Sequence, residues 1–147
     1  MLRRVVTGVL SCVALGATYD CMPSAHSHER VLKTAWFTKA AGKAGIGDVE
    51  LCAAVSQARA GKCDDLGSGV YKKRVGRNLY RSIILAKGRH YWVLTYLFAK
   101  KDRANIADAE LNGFRELAKG YEQLTAVRVA VLLSEKVLVE ICHGDEE

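Results

Sequence analysis

No aspartate or glutamate occurs between Leu66 and Lys101, although acids stand on both sides of this stretch. The stretch carries a dense set of cations: Lys72, Lys73, Arg74, Arg77, Arg81, Lys87, Arg89, Lys100 and Lys101. The formal net charge of +6 is therefore concentrated in one part of the chain. A basic block without compensating acids predicts a polyanionic partner. Solubility is the alternative interpretation, because cations on strand edges also discourage aggregation.

Cysteine patterns typical of metal sites are also missing. The chain has 5 cysteines, an odd number, with no C-x-x-C pair and no histidine at the spacing of a zinc site. Cys52 occupies an apolar position of a predicted helix, where a buried thiol is the usual explanation. The sequence therefore predicts a reduced, intracellular chain with no metal and no cofactor.

The N-terminal residues contain no apolar run long enough for a membrane span. The uncharged stretch from Val5 to Ala17 is too short for one, but Ala14 and Gly16 are spaced like a small-residue signal cleavage site. Secretion is therefore an alternative. We favour an N-terminal extension over residues 1–30, a single domain over residues 31–141 and an acidic tail over residues 142–147. This interpretation predicts a cytoplasmic protein with no membrane partner.

Hydrophobic periodicity predicts the order β-α-α-β-β-β-α-(α)-β. Strand RVLKT precedes a helix with Trp36 and Phe37 on its apolar side and Gly45 as its stop, and Asp48 is the expected N-cap of the second helix. The runs VYKKRV, LYRSIILAK and HYWVLTYLFAK predict a three-stranded antiparallel sheet. One helix, a further short helix and a final strand, VLVEI, follow. The fold class is α+β: two N-terminal helices packed on a small, largely antiparallel twisted sheet, with one or two C-terminal helices.

Four segments together resemble the RelE/ParE superfamily of toxins from type II toxin–antitoxin systems: KTAWFTKAAGKAGIGDVELCAAV, GSGVYKKRV, LYRSIILA and YLFAKKDRANIADAELNGFRELAK. The resemblance covers residues 31–141 and is nearest to the RelE and HigB-like ribonucleases. It implies a compact sheet with two packed helices, cleavage of messenger RNA, often on the ribosome, and an antitoxin that covers the cationic cleft. Relatives commonly have a longer Gly- and Lys-rich hairpin where only Gly76, Arg77 and Asn78 stand here, which puts the efficiency of cleavage in question.

The resemblance also implies candidate site residues. Lys72, Lys73 and Arg74 match the basic strand of the family, Arg81 matches its YR segment, and Lys100, Lys101 and Arg103 match the basic end of its F-x-K strand. RNA cleavage by the 2′-hydroxyl needs a base, charge stabilisation at phosphorus and a proton for the leaving oxygen. We assign catalysis to Lys72, Lys73, Arg74, Arg81 and Lys100, with either of the first two as the base. The candidate RNA-binding residues are Arg77, Tyr80, Tyr96, Lys101 and Arg103, the tyrosines as stacking platforms unless they pack within the sheet.

Three functions remain open from the sequence. The first is a messenger RNA endoribonuclease, possibly ribosome-dependent, neutralised by a cognate antitoxin that we expect to be a helix-turn-helix protein. The second is a ParE-like inhibitor that binds DNA gyrase without catalysis, and the third is a degenerate relative that binds RNA or its antitoxin only. The basic block favours the ribonuclease, because a gyrase inhibitor acts through protein contacts and needs no phosphate cleft.

Overall fold

The secondary structure follows the predicted order with one added strand. The computed structural model describes residues 29–88 and 90–142. The predicted extension up to residue 28, Arg89 and the tail beyond residue 142 lie outside the described residues. The elements are β1 Arg30–Thr34, α1 Ala35–Ala44, α2 Asp48–Arg59, β2 Asp64–Asp65, β3 Val70–Val75, β4 Tyr80–Leu85, β5 Tyr91–Ala99, α3 Asp108–Glu122, α4 Ala126–Ser134 and β6 Leu138–Ile141.

All strands join one 6-stranded sheet in the order β2-β3-β4-β5-β1-β6. Strands β3, β4 and β5 form the predicted antiparallel meander, with Val75 opposite Tyr80 at its first turn. Strand β1 pairs parallel with β5 and antiparallel with β6, so the first strand of the domain lies inside the sheet. Asp64 and Asp65 form the added strand: they stand in the segment CDDLGSG, which has no strand pattern, and pair with β3 as the short strand β2.

Helices α1 and α2 pack on one face of the sheet, through Phe37 of α1 and Leu51 of α2. Helix α1 is capped by Thr34, whose side chain accepts a hydrogen bond from the Phe37 N–H at 3.0 Å. Helix α2 begins after Gly47, so the prediction of Asp48 as N-cap is wrong by one residue. Asp48 instead accepts a hydrogen bond from the Lys33 ammonium at 2.7 Å and lies in the first turn, where the helix dipole favours an acid.

Helices α3 and α4 cover the opposite face. Beneath α3 lie Val70, Ile83 and Leu85, and a separate cluster beneath α4 contains Val93 and Leu138. The sheet is therefore covered by helices on both faces, which confirms the α+β prediction. No helix within the described residues is both long and apolar enough to cross a membrane.

A disulfide joins Cys52 of α2 to Cys142, with a Cα–Cα distance of 5.6 Å and a sequence separation of 90 residues. The prediction of a buried thiol at Cys52 is therefore wrong, and cysteine usage no longer argues for a reduced chain. The physical reason is the sheet order. Strand β6 lies beside β1, and Ile141 of β6 packs in the same core cluster as Leu51 of α2, so the next residue, Cys142, lies beside the helix.

Candidate functional site

Four cations share the part of the α3-covered face that is nearest the β3–β4 turn. We call this surface the open basic face and define it by Lys72, Arg74, Arg81 and Arg103. Side chains alternate along β3, so its Lys72 and Arg74 point to the same face as Val70, which packs beneath α3. The register then places Arg81 between Arg74 on β3 and Phe98 on β5. The sheet thus collects on one face cations that are distant in sequence.

Arg74 and Arg81 stand directly opposite each other on neighbouring strands. Side chains in this arrangement have Cβ atoms about 5 Å apart, and two like charges there are destabilising. Neither arginine has an acidic partner among the residues that the structure describes. The Arg81 guanidinium donates only to neutral oxygens: Asn78 O at 3.1 Å, Asn78 Oδ1 at 3.2 Å and Tyr80 O at 3.1 Å. A bound anion would relieve the repulsion of this pair.

The short turn between β3 and β4 positions Arg81. Arg77 and Asn78 both have left-handed backbones, with φ of 57° and 69°. Asparagine adopts this conformation more readily than most residues, and here its carbonyl and side-chain oxygens both hold the Arg81 guanidinium. The turn is also tied to α2, because the Gly76 N–H donates to the Glu50 carboxylate at 2.6 Å. The short turn therefore orients Arg81.

Arg103 is held in place on three sides. Its guanidinium donates to both oxygens of Glu110, one at 3.2 Å, and to the Tyr96 hydroxyl at 3.4 Å, and it lies 5.6 Å from the centre of the Phe98 ring. The hydrogen bond with Glu110 raises the pKa of Arg103. The same bond, with a second from the Ala107 N–H, lowers the pKa of Glu110. Arg103 is therefore a fixed positive charge beside the sheet.

Lys72 lies against the loop before α3, the same loop that contains Arg103. Its ammonium donates to Asn105 Oδ1 at 3.3 Å and is 3.8 Å from the Asp64 carboxylate. The Lys72 side chain is only 15% exposed. Asn105 Oδ1 also accepts the Ile106 N–H at 2.9 Å, which fixes the orientation of the amide. Lys72 is thus the ordered lysine of this face.

Two of the predicted site residues lie on the opposite face. Lys73 points toward α2, and its ammonium donates to Lys62 O at 2.9 Å. Tyr80 packs against the core beneath α1 and α2. Lys73 therefore points to the opposite face of β3 from Lys72, although both lysines line one small cavity together with Lys62 and Asp64.

The remaining predicted residues lie around the end of β5 and at the turn. Lys100 and Lys101 are exposed just after β5, and the Lys100 N–H donates to Leu79 O at 2.9 Å. Arg77 is exposed at the tip of the β3–β4 turn. Tyr96 lies on the same face as Arg103, but its ring stacks on Trp36 with centroids 5.0 Å apart.

Sequence reasoning missed three residues that order this surface: Asn78, Asn105 and Glu110. A signal existed for Glu110, since an acid three residues after a helix boundary often bonds back to the first backbone N–H. Within residues 29–88 and 90–142, no group of three or more His, Cys, Asp or Glu side chains is arranged to hold a metal ion.

The fold and the basic face agree with a family match. The family model described as the RelE toxin of the RelE/RelB toxin–antitoxin system matches residues 29–141. The chain therefore belongs to the RelE toxin family, whose members pair with an antitoxin, and the resemblance over residues 31–141 is confirmed at this level. Searches of curated proteins and of solved structures found no significant match.

Proposed function

We propose that this RelE-family protein is an endoribonuclease that cleaves messenger RNA and so inhibits translation. The observation that carries the proposal is the pair Arg74 and Arg81, opposite each other and without an acidic partner in the described chain. A phosphodiester between the two arginines can contact both guanidinium groups, and its negative charge offsets part of their mutual repulsion. The planar guanidinium groups can each contact two phosphate oxygens, a geometry that an ammonium group does not offer.

In the proposed reaction the ribose 2′-oxygen attacks the adjacent phosphorus in line, and the bond to the 5′-oxygen of the next nucleotide breaks. The products are a 2′,3′-cyclic phosphate and a 5′-hydroxyl. Arg74 and Arg81 stabilise the charge that develops on the phosphate oxygens. Lys72 is the candidate for the group that takes the 2′-proton, because an arginine stays protonated, and Lys72 would have to be the neutral amine in this step. Lys100, at the end of β5, is the candidate donor of a proton to the 5′-oxygen, and Arg103 anchors a neighbouring phosphate.

The proposal includes two partners and a location. The cognate antitoxin would cover the open basic face with an acidic or helical segment, so that their encounter is sensitive to salt. Its expected form is a helix-turn-helix protein, which a short reading frame beside the gene would encode. Messenger RNA, with or without the ribosome, is the substrate, and the cytoplasm is the proposed site of action.

The test is inducible expression of the full chain in bacteria beside an Arg81→Ala variant. Growth would be followed, and the 5′ ends of cellular messenger RNA would be mapped. Arg128→Ala is the matched control, because Arg128 is an exposed arginine on α4. We expect growth arrest with new internal cuts in messages for the wild type and the control. Loss of one stabilising donor of this kind lowers catalysis by roughly 100- to 1000-fold, so Arg81→Ala should neither cut nor arrest.

Two outcomes would contradict the proposal. Arrest of the wild type with intact messages, together with loss of DNA supercoiling by gyrase in extracts, would identify a ParE-like inhibitor. No arrest and no cleavage by the purified protein, with or without ribosomes, would identify a degenerate relative. Circular dichroism of each purified variant would establish whether it is folded, so that a lost activity can be assigned to the site.

A further inference from the structure

A groove runs along β5 beside α1 and adjoins the open basic face. Strand β1 pairs with β5 as far as Lys33 opposite Leu94, while β5 continues to Ala99. Helix α1 follows β1 directly and runs beside this extra length of β5. The resulting groove has a volume of about 640 Å³. Phe98 and Arg103 line it as well, so the groove and the open basic face are continuous.

The lining of the groove combines an exposed aromatic ring with cations. Trp36, the second residue of α1, is 51% exposed, whereas the next residue, Phe37, is fully buried. Its ring stacks on Tyr96 at 5.0 Å with an interplanar angle of 27°, and Tyr96 in turn contacts Phe98 and Phe114. The inner face of the indole is therefore supported by a rigid aromatic stack, which leaves the outer surface of the ring accessible.

The charged side chains that line the groove are all cations except for one acid. Lys39 and Lys43 lie one helical turn apart on α1 and both line the groove, as do Lys101 and Arg103 on the other wall. Asp102 is the acid among the lining residues. Both lysines of α1 are exposed, so their ammonium groups can reach a ligand in the groove.

We propose that this groove binds single-stranded RNA beside the scissile phosphate, with one unpaired base stacked on Trp36 and phosphates on Lys39 and Lys43. The inference rests on the proposed ribonuclease function. An acidic peptide would use the same cations, but it would not need a supported, exposed indole ring. Stacking of unpaired bases on aromatic side chains between cations is the usual device of proteins that bind single strands.

The two tryptophans make the proposal directly measurable. Trp92 is 1% exposed and lies in the core, so a ligand in the groove should change the fluorescence of Trp36 alone. The probe is a single-stranded RNA of about 12 nucleotides, long enough for one such site, with 2′-O-methyl riboses that block cleavage. The full-length protein should show quenching of its fluorescence on binding. Trp36→Phe should keep most of the affinity and lose the quenching.

Affinity measured by anisotropy of a labelled copy of the same RNA gives the quantitative test. Trp36→Ala should bind roughly 5- to 150-fold more weakly, the usual range for loss of one stacked base. The double variant Lys39→Gln, Lys43→Gln should lower the slope of log affinity against log salt by about 1.4, at about 0.7 per phosphate contact. The matched control Arg128→Gln, Lys136→Gln removes two exposed cations near α4 and should leave that slope unchanged.

The outcomes separate this proposal from the one on which it rests. RNA cleavage by the wild type with unchanged RNA affinity in Trp36→Ala would overturn the groove proposal and leave the ribonuclease intact. Quenching of Trp36 by poly-L-glutamate but not by RNA would also overturn it and assign the groove to an acidic protein segment. Absence of both cleavage and RNA binding in the wild type would overturn both proposals.

Discussion

Removal of the Cys52–Cys142 disulfide should lower the free energy of unfolding substantially. The bond closes a loop with a sequence separation of 90 residues that contains the meander, α3, α4 and β6. In the chain-entropy treatment, closing a loop of this length lowers the entropy of the unfolded chain and so raises its free energy by about 4–5 kcal/mol. With a urea dependence of about 2 kcal/mol per molar, the midpoint of unfolding should fall by roughly 2 M. This loss would also occur in a reducing cytoplasm.

The assay is urea unfolding of the wild type and of the double variant Cys52→Ser, Cys142→Ser, followed by circular dichroism. Each protein is measured with and without reductant. Reductant should lower the midpoint of the wild type and leave that of the double variant unchanged. Cys63→Ser is the matched control, because Cys63 lies outside the disulfide, and it should retain the response to reductant. Equal midpoints for the oxidised wild type and the double variant would refute the reasoning.

Three further predictions concern single residues. Gly69→Ala should destabilise the fold by about 2–4 kcal/mol in urea unfolding, because the added Cβ would lie 2.7 Å from the Lys87 backbone. The control is Gly45→Ala, which also has a positive φ but no atom within 4 Å of the added Cβ, and it should destabilise the fold by only about 1 kcal/mol. Asn78→Gly keeps the left-handed turn but removes one hydrogen-bond acceptor of Arg81, so RNA cleavage should slow roughly 2- to 10-fold while the unfolding midpoint stays unchanged. Unchanged cleavage would contradict the role of Asn78 in positioning Arg81. Glu110 has a lowered pKa in the folded protein, so its contribution to stability is complete above its ordinary pKa of 4.5 and is lost as the pH falls through the lower folded-state value. The wild type should therefore have a higher urea midpoint than Glu110→Gln at neutral pH. This difference should vanish in acid.

Local patterns predicted most of the secondary structure because each element carries its own periodicity. Alternation along VYKKRV places Lys72 and Arg74 on the same face as buried Val70, and the three apolar runs correctly predicted the meander. Strand β2 was missed because two aspartates in a glycine-rich loop have no strand pattern of their own. Its pairing comes from β3, which lies beside it.

The site was harder to predict because nearness in sequence is not nearness in space. Lys72 and Lys73 were given the same role, yet a strand places neighbouring residues on opposite faces, and Lys73 points toward α2. Trp36 was counted with the apolar side of α1, since helical spacing cannot show that β1 stops short of the end of β5. The disulfide was not predicted for a related reason. Cys142 lies beside α2 because β6 pairs with β1, and strands so far apart in sequence give no local signal of their pairing.

The position of β1 has a consequence for synthesis of the protein. Strand β1 is the first described strand to be translated, yet its partners are β5 and β6, with Leu32 opposite Glu140 in the last strand. Pairings between such distant residues form late and slowly. While the chain is still on the ribosome, β1 therefore has no completed sheet to join, and the sheet is complete only after β6 has emerged. The protein is thus expected to reach its full stability only when translation of the domain is complete.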